Sequence, residues 1–127
     1  MTPTNNPVVL VIEDDPDVRA LLKDVLDEGN YEVVAVHDVR AALQLIRTVR
    51  VDLVTLDLDL PGLPGKEFVR MLNERVRTPP PIIVITSEGP VSREVRTQVQ
   101  AVVDKPFDVD DLIAKISALV PMPSDEV

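Results

Sequence analysis

The chain has 127 residues, which is room for one domain with a single hydrophobic core and too few for two. A composition of 45% hydrophobic and 28% charged residues is that of a folded globular protein, and the formal net charge of -9 argues against a surface for nucleic acid or anionic membrane. An aromatic content of 2% leaves no stacking platform, the lack of Cys excludes thiolate sites and disulfides, and a single His excludes a His cluster within one chain.

In chain order, residues 1–7 read as a polar N-terminal tail. Val8 to Ile12 is a continuous, β-branched-rich run, as expected of a strand buried on both faces. It stops at Glu13-Asp14-Asp15-Pro16, where Asp15 suits an N-cap and Pro16 the first helical position. Val18, Leu21, Leu22, Val25 and Leu26 then follow the stripe of an amphipathic helix, closed by Gly29 as its C-terminal cap. Tyr31 to Val36 is a second strand, and Asp38 caps a second helix marked by Val39, Ala42, Leu43 and Ile46. Leu53 to Leu56 is a third strand, ending at Asp57. The loop Leu60 to Gly65 follows, with Gly62 and Gly65 expected at positive φ. A short helix carries Phe68, Met71 and Leu72.

After Pro79-Pro80-Pro81, Ile82 to Ile85 is a fourth strand ending at Thr86-Ser87. A fourth helix is expected over Val91 to Val99, delayed by Gly89-Pro90 and poor in apolar residues. Ala101 to Val103 is a short fifth strand ending at Asp104-Lys105-Pro106. Asp108 then opens the last helix, with Val109, Leu112, Ile113, Ile116 and Val120 on one face. The ordered unit is expected over 8–120, with 121–127 a C-terminal tail. Five strands alternating with five helices imply βαβ units and a parallel sheet covered on both faces, a doubly wound α/β fold.

In such sheets, ligands bind outside the carboxyl ends of the strands. Those ends carry Glu13, Asp14, Asp57, Thr86 and Lys105. Clustered carboxylates repel and want a hard cation, and Mg2+ takes oxygen ligands. A lysine and a hydroxyl beside them supply donors for a phosphoryl group, and a carboxylate can itself be the nucleophile. Taken alone, each residue has an ordinary reading. Lys105 would be a solvated lysine, Thr86 a strand-end hydroxyl, and Asp15, Asp17, Asp38 and Asp108 helix-start acids.

Four motifs together, each at a strand end, carry a resemblance. They are Val11-Ile12-Glu13-Asp14-Asp15-Pro16, Asp52 to Gly62, Ile83-Val84-Ile85-Thr86-Ser87, and Asp104-Lys105-Pro106-Phe107. Over Val8 to Val120 the chain resembles the receiver domains of two-component response regulators, of the stand-alone type. The resemblance implies a flavodoxin-like sheet in strand order 2-1-3-4-5. It implies that Asp57 accepts a phosphoryl group from a sensor histidine kinase or a histidine phosphotransfer protein. It further implies Mg2+ held by Asp14 directly, by Glu13 mainly through water, by Asp57, and by the backbone carbonyl of Asp59. Lys105 is expected to pair with a phosphoryl oxygen, Pro106 to follow a cis bond, Thr86 to swing toward the phosphoryl group, and Ser87 to line access to Asp57.

The chain departs from that family at Val102, where relatives carry a switching Tyr or Phe, and over Thr86 to Lys105, which is short. Asp59 is acidic two residues after Asp57. Two roles are open to it: repelling hydrolytic water, or engaging Lys105 at rest. Glu88 is the other position expected to tune phosphoryl lifetime. The leading function is a phosphorylation-dependent switch, not an enzyme beyond its own phosphorylation and dephosphorylation. The alternatives are a phosphorylation-independent pseudo-receiver and, less favoured, a haloacid-dehalogenase-like phosphatase suggested by Asp57-Leu58-Asp59. The chain's lack of a ~20-residue apolar run and of a signal pattern implies a cytoplasmic protein without membrane insertion.

Overall fold

A computed structural model describes residues 6–60, 65–87 and 90–121. Strands β1 (Val8–Ile12), β2 (Glu32–Val36), β3 (Leu53–Asp57), β4 (Ile82–Thr86) and β5 (Ala101–Asp104) form one sheet in the order β2-β1-β3-β4-β5. Every pairing is parallel. Between the strands run α1 (Pro16–Glu28), α2 (Val39–Thr48), α3 (Gly65–Arg75) and α4 (Arg93–Arg96), and α5 (Val109–Leu119) follows β5. No helix among the described residues is long and apolar enough to cross a membrane.

Alternate side chains of a strand point to opposite faces, so a strand buried along its whole length must be covered twice. That is the case for β1, β3 and β4, buried at all five positions each. Leu10, Ile12, Val54, Leu56 and Val84 pack with Ala42 of α2, Phe68 and Leu72 of α3, and Val95 of α4. Val9, Val11, Leu53, Ile83 and Ile85 pack with Leu22 and Leu26 of α1 and Leu112 and Ile116 of α5. The edge strands β2 and β5 are only partly buried.

Helix starts follow their caps. Asp15 accepts from the amides of Asp17 and Val18, Asp38 from that of Ala41, Ser92 from that of Val95, and Asp108 from those of Asp110 and Asp111. Gly29 caps α1 as expected, at φ -81, and the residue after it, Asn30, is left-handed at φ 66, a conformation Asn tolerates better than most residues. Other local expectations need correction. Tyr31 precedes β2 instead of opening it, and its hydroxyl donates to the Val120 carbonyl at 3.0 Å. Gly65 is not at positive φ. It opens α3 in close approach, where a Cβ would come within 2.6 Å of Leu58 Cδ2. Gly62 lies outside the described residues. The fourth helix is a single turn instead of reaching Val99, because few apolar residues there can hold a longer helix to the sheet.

Candidate functional site

Strand register gathers the polar strand ends on one edge. Ile12 pairs with Leu56, which sets Glu13 and Asp14 beside Asp57. Asp57 pairs with Ile85, and Thr86 with Asp104, which brings in Thr86 and Lys105. The pairing continues past the strands. The Glu13 amide donates to the Val36 carbonyl, Leu58 to Ile85, and Lys105 to Thr86, at 3.1, 3.0 and 2.9 Å. The loops that carry the chemistry therefore start from fixed backbone. The Lys105-Pro106 bond is cis, as the resemblance implies.

Glu13, Asp57 and Thr86 are buried, whereas Asp14 is exposed. One carboxylate oxygen from each of Glu13, Asp14 and Asp57 lies within 4.8 Å of the others. Lys105 Nζ reaches into this cluster, 3.1 Å from Asp57 Oδ2 and 3.5 Å from Glu13 Oε1. The Asp59 amide donates to Asp57 Oδ1 at 2.8 Å, and the Asp15 amide to Glu13 Oε2 at 3.2 Å. Glu13 Oε1 is buried and accepts no hydrogen bond. Burial, then a hydrogen bond and repulsion from Asp57, push the Glu13 carboxyl up to about 7. For Lys105, burial disfavours the ammonium, but its hydrogen bond and charge pairing with Asp57, and its attraction to Glu13, prevail and raise its pKa.

Three carboxylates facing one ammonium, with a buried oxygen left without a hydrogen bond, fit a hard divalent cation. The donors are all oxygen, and exposed Asp14 leaves room for the waters that Mg2+ retains.

Two contacts were not foreseen from the sequence, the first made by Arg19 and the second by the side chain of Asp59, a residue already singled out. Arg19 of α1 donates through Nη1 to the backbone carbonyls of Glu13 at 2.9 Å and Asp14 at 3.5 Å, pinning the acidic turn. Arg19 lies off the apolar stripe of α1, so the sequence pattern does not single it out. The second is made by Asp59. Its carboxylate does not take up Lys105, which is committed to Asp57 and Glu13. It turns instead to β4, accepting from Thr86 Oγ1 at 3.2 Å, the Ser87 amide at 2.9 Å and Ser87 Oγ at 2.7 Å. Burial works against this anion, but the donors from Ser87 and Thr86 outweigh it and lower its pKa. Val102, like Val91 and Val99, lies half-buried against the core cluster that holds Val95 of α4. A cleft of about 770 Å³ runs from Thr86 and Ser87 past Val91, Val99 and Val102 to Lys105. Glu88 lies outside the described residues.

The family model for the response regulator receiver domain matches residues 9–117. The chain is 36% identical over 115 residues to the transcriptional regulatory protein TcrA of Mycobacterium tuberculosis, covering 87% of this chain and 45% of that protein. It is 30% identical over 127 residues to the phosphate regulon transcriptional regulatory protein PhoB of Klebsiella pneumoniae, covering 94% and 56%. It thus spans about half the length of these curated relatives. Among solved structures, response regulator protein TrrA of Thermotoga maritima, in complex with Mg2+-BeF, superposes with TM-score 0.81 at 28% identity, over 90% of this chain and 99% of that one.

Proposed function

This chain belongs to the response regulator receiver domain family of two-component systems, and from that premise we propose that Asp57 takes a phosphoryl group from the phosphohistidine of a sensor histidine kinase or histidine phosphotransfer protein. A carboxylate oxygen of Asp57 attacks phosphorus as the phosphorus–nitrogen bond breaks. The imidazole nitrogen leaves with the electron pair and takes up a proton.

The observation that carries this reading is the buried Asp57 carboxylate at the end of β3, held by Lys105 Nζ on one oxygen and the Asp59 amide on the other. Those two donors fix the nucleophile. Lys105 can pass from Asp57 to a phosphoryl oxygen without leaving the cluster. Glu13, Asp14 and Asp57, with the Asp59 carbonyl, would hold Mg2+. When bound, Mg2+ neutralises charge on the phosphoryl oxygens. The Mg2+-BeF complex of TrrA supports this assignment.

The phosphoryl group brings about -1 to -2 of charge and several acceptor oxygens, which draw in the Thr86 hydroxyl and bias the neighbouring surface. The complete set of Asp57, Thr86 and Lys105 favours this over a phosphorylation-independent module. Self-phosphorylation and its reversal are the only catalysis assigned, and the cytoplasm is the compartment the reading implies. The test is intact mass after incubation with acetyl phosphate and Mg2+. Wild type should gain one phosphoryl group and Asp57→Asn none; an unmodified wild type with bound metal demonstrated would overturn the reading.

A further inference from the structure

We propose that the Asp59 carboxylate is a positioning residue that holds the Thr86 hydroxyl and the start of the β4–α4 turn in their unphosphorylated arrangement, so that phosphoryl binding must take Thr86 from Asp59. The proposal deepens the phosphoacceptor reading and rests on it.

Asp59 divides its backbone and side chain between two neighbours. Its amide donates to Asp57 Oδ1 at 2.8 Å, which ties it to the nucleophile. Its carboxylate crosses to the next strand and takes three donors from two consecutive residues. The direction of these bonds is fixed, because an ionised carboxylate only accepts. A threonine hydroxyl has one proton, so Thr86 can donate to Asp59 or to a phosphoryl oxygen, but not to both. Hydrogen bonds to a carboxylate are about twice as strong as neutral ones, so the exchange carries a real cost.

The two oxygens divide the work. Oδ1 takes Thr86, while Oδ2 takes both Ser87 donors. When Thr86 leaves, Ser87 still anchors the Asp59 side chain, and the carboxylate need not swing. The exchange is thereby confined to one hydroxyl. Lys105 does not compete for this carboxylate, since its ammonium lies on Asp57 and Glu13. Asp59 thus sets the resting population of Thr86 and the affinity of the site for a phosphoryl group, through contact and not through charge alone.

Comparing Asp59→Asn with Asp59→Ala separates these causes. Both remove the charge, but Asn keeps an acceptor oxygen in place. Beryllofluoride with Mg2+ is titrated against both variants in the wild-type and Thr86→Ala backgrounds. Asp59→Ala should bind about fivefold tighter than Asp59→Asn, the worth of one neutral hydrogen bond no longer to be broken. In the Thr86→Ala background that difference should fall within about twofold. Without any ligand, methyl couplings should show the same Thr86 χ1 population in wild type and Asp59→Asn, and a shifted one in Asp59→Ala. Equal beryllofluoride affinities for the two variants, or a difference that survives Thr86→Ala, would overturn the proposal. So would an unchanged Thr86 rotamer in Asp59→Ala. If wild type itself binds no beryllofluoride with Mg2+ present, the phosphoacceptor reading fails, and the ligand-free rotamer still decides whether Asp59 holds Thr86.

Discussion

If divalent cations are removed by a chelator and the pH is raised from about 5 to about 8, the folded protein should lose stability. The cause is Glu13, whose side chain is 2% exposed and whose carboxyl is pushed up to about 7, first by burial and then by Asp57. A carboxyl with a folded-state pKa above its unfolded value of 4.5 stabilises the fold fully below that lower value. The contribution is lost as pH rises through about 7. At about 1.36 kcal/mol per pKa unit, the interval is worth about 3 kcal/mol. Asp59 and Lys105 do not offset it in this window. The Asp59 pKa is displaced downward from 3.8 and that of Lys105 upward from 10.5, so both keep their charge throughout. The assay is urea denaturation in chelator at about pH 5.5 and about pH 7.5, for wild type and Glu13→Gln. Wild type should be less stable at the higher pH. Glu13→Gln should be flat, and more stable than wild type at about pH 7.5 by up to that margin. A wild-type stability that is constant or rises with pH, or the same slope in Glu13→Gln, would refute the reasoning.

Three other substitutions test separate parts of the account. Lys105→Met leaves Glu13 and Asp57 facing each other and should cost about 2–3 kcal/mol in thermal unfolding at neutral pH, less than a fully buried pair because the lysine side chain is 23% exposed. The loss should shrink at about pH 5.5 as Glu13 takes a proton; a pH-independent loss would contradict the charge argument. Arg19→Met frees the Glu13 and Asp14 carbonyls and should weaken Mg2+ binding about tenfold by calorimetry, with Arg19→Lys in between; unchanged affinity would show that the acidic turn holds itself. Thr55→Val removes a buried hydroxyl without a hydrogen-bond partner and should raise stability by about 1 kcal/mol, whereas a loss would mean the hydroxyl is satisfied in solution.

The sheet was legible because its central strands are apolar runs, interrupted only by Thr55 in β3, that stop at charged or hydroxyl residues, and those stops form the candidate site. The helix starts were legible because Asp15, Asp38 and Asp108 are local caps. What stayed hidden depends on which strands become neighbours or on small backbone choices. The Asp59–Thr86 bond joins residues 27 apart and exists only because β3 and β4 pair. The Tyr31 hydroxyl finds Val120 across 89 residues. The choice of Asn30 over Gly29 for the left-handed position is decided by how α1 must hand the chain to β2. Arg19 is legible only once the β1–α1 turn brings two carbonyls to its guanidinium.

The most direct test of the central claim is to find which side chain carries the phosphoryl group. Wild-type protein would be labelled from a phosphohistidine-bearing donor in Mg2+, digested and mapped, with a duplicate sample treated with hydroxylamine. The account predicts a single label on Asp57, released by hydroxylamine as an acyl phosphate is, and none in Asp57→Asn. A hydroxylamine-stable label on Thr86 or Ser87, or an equal label in Asp57→Asn, would contradict it.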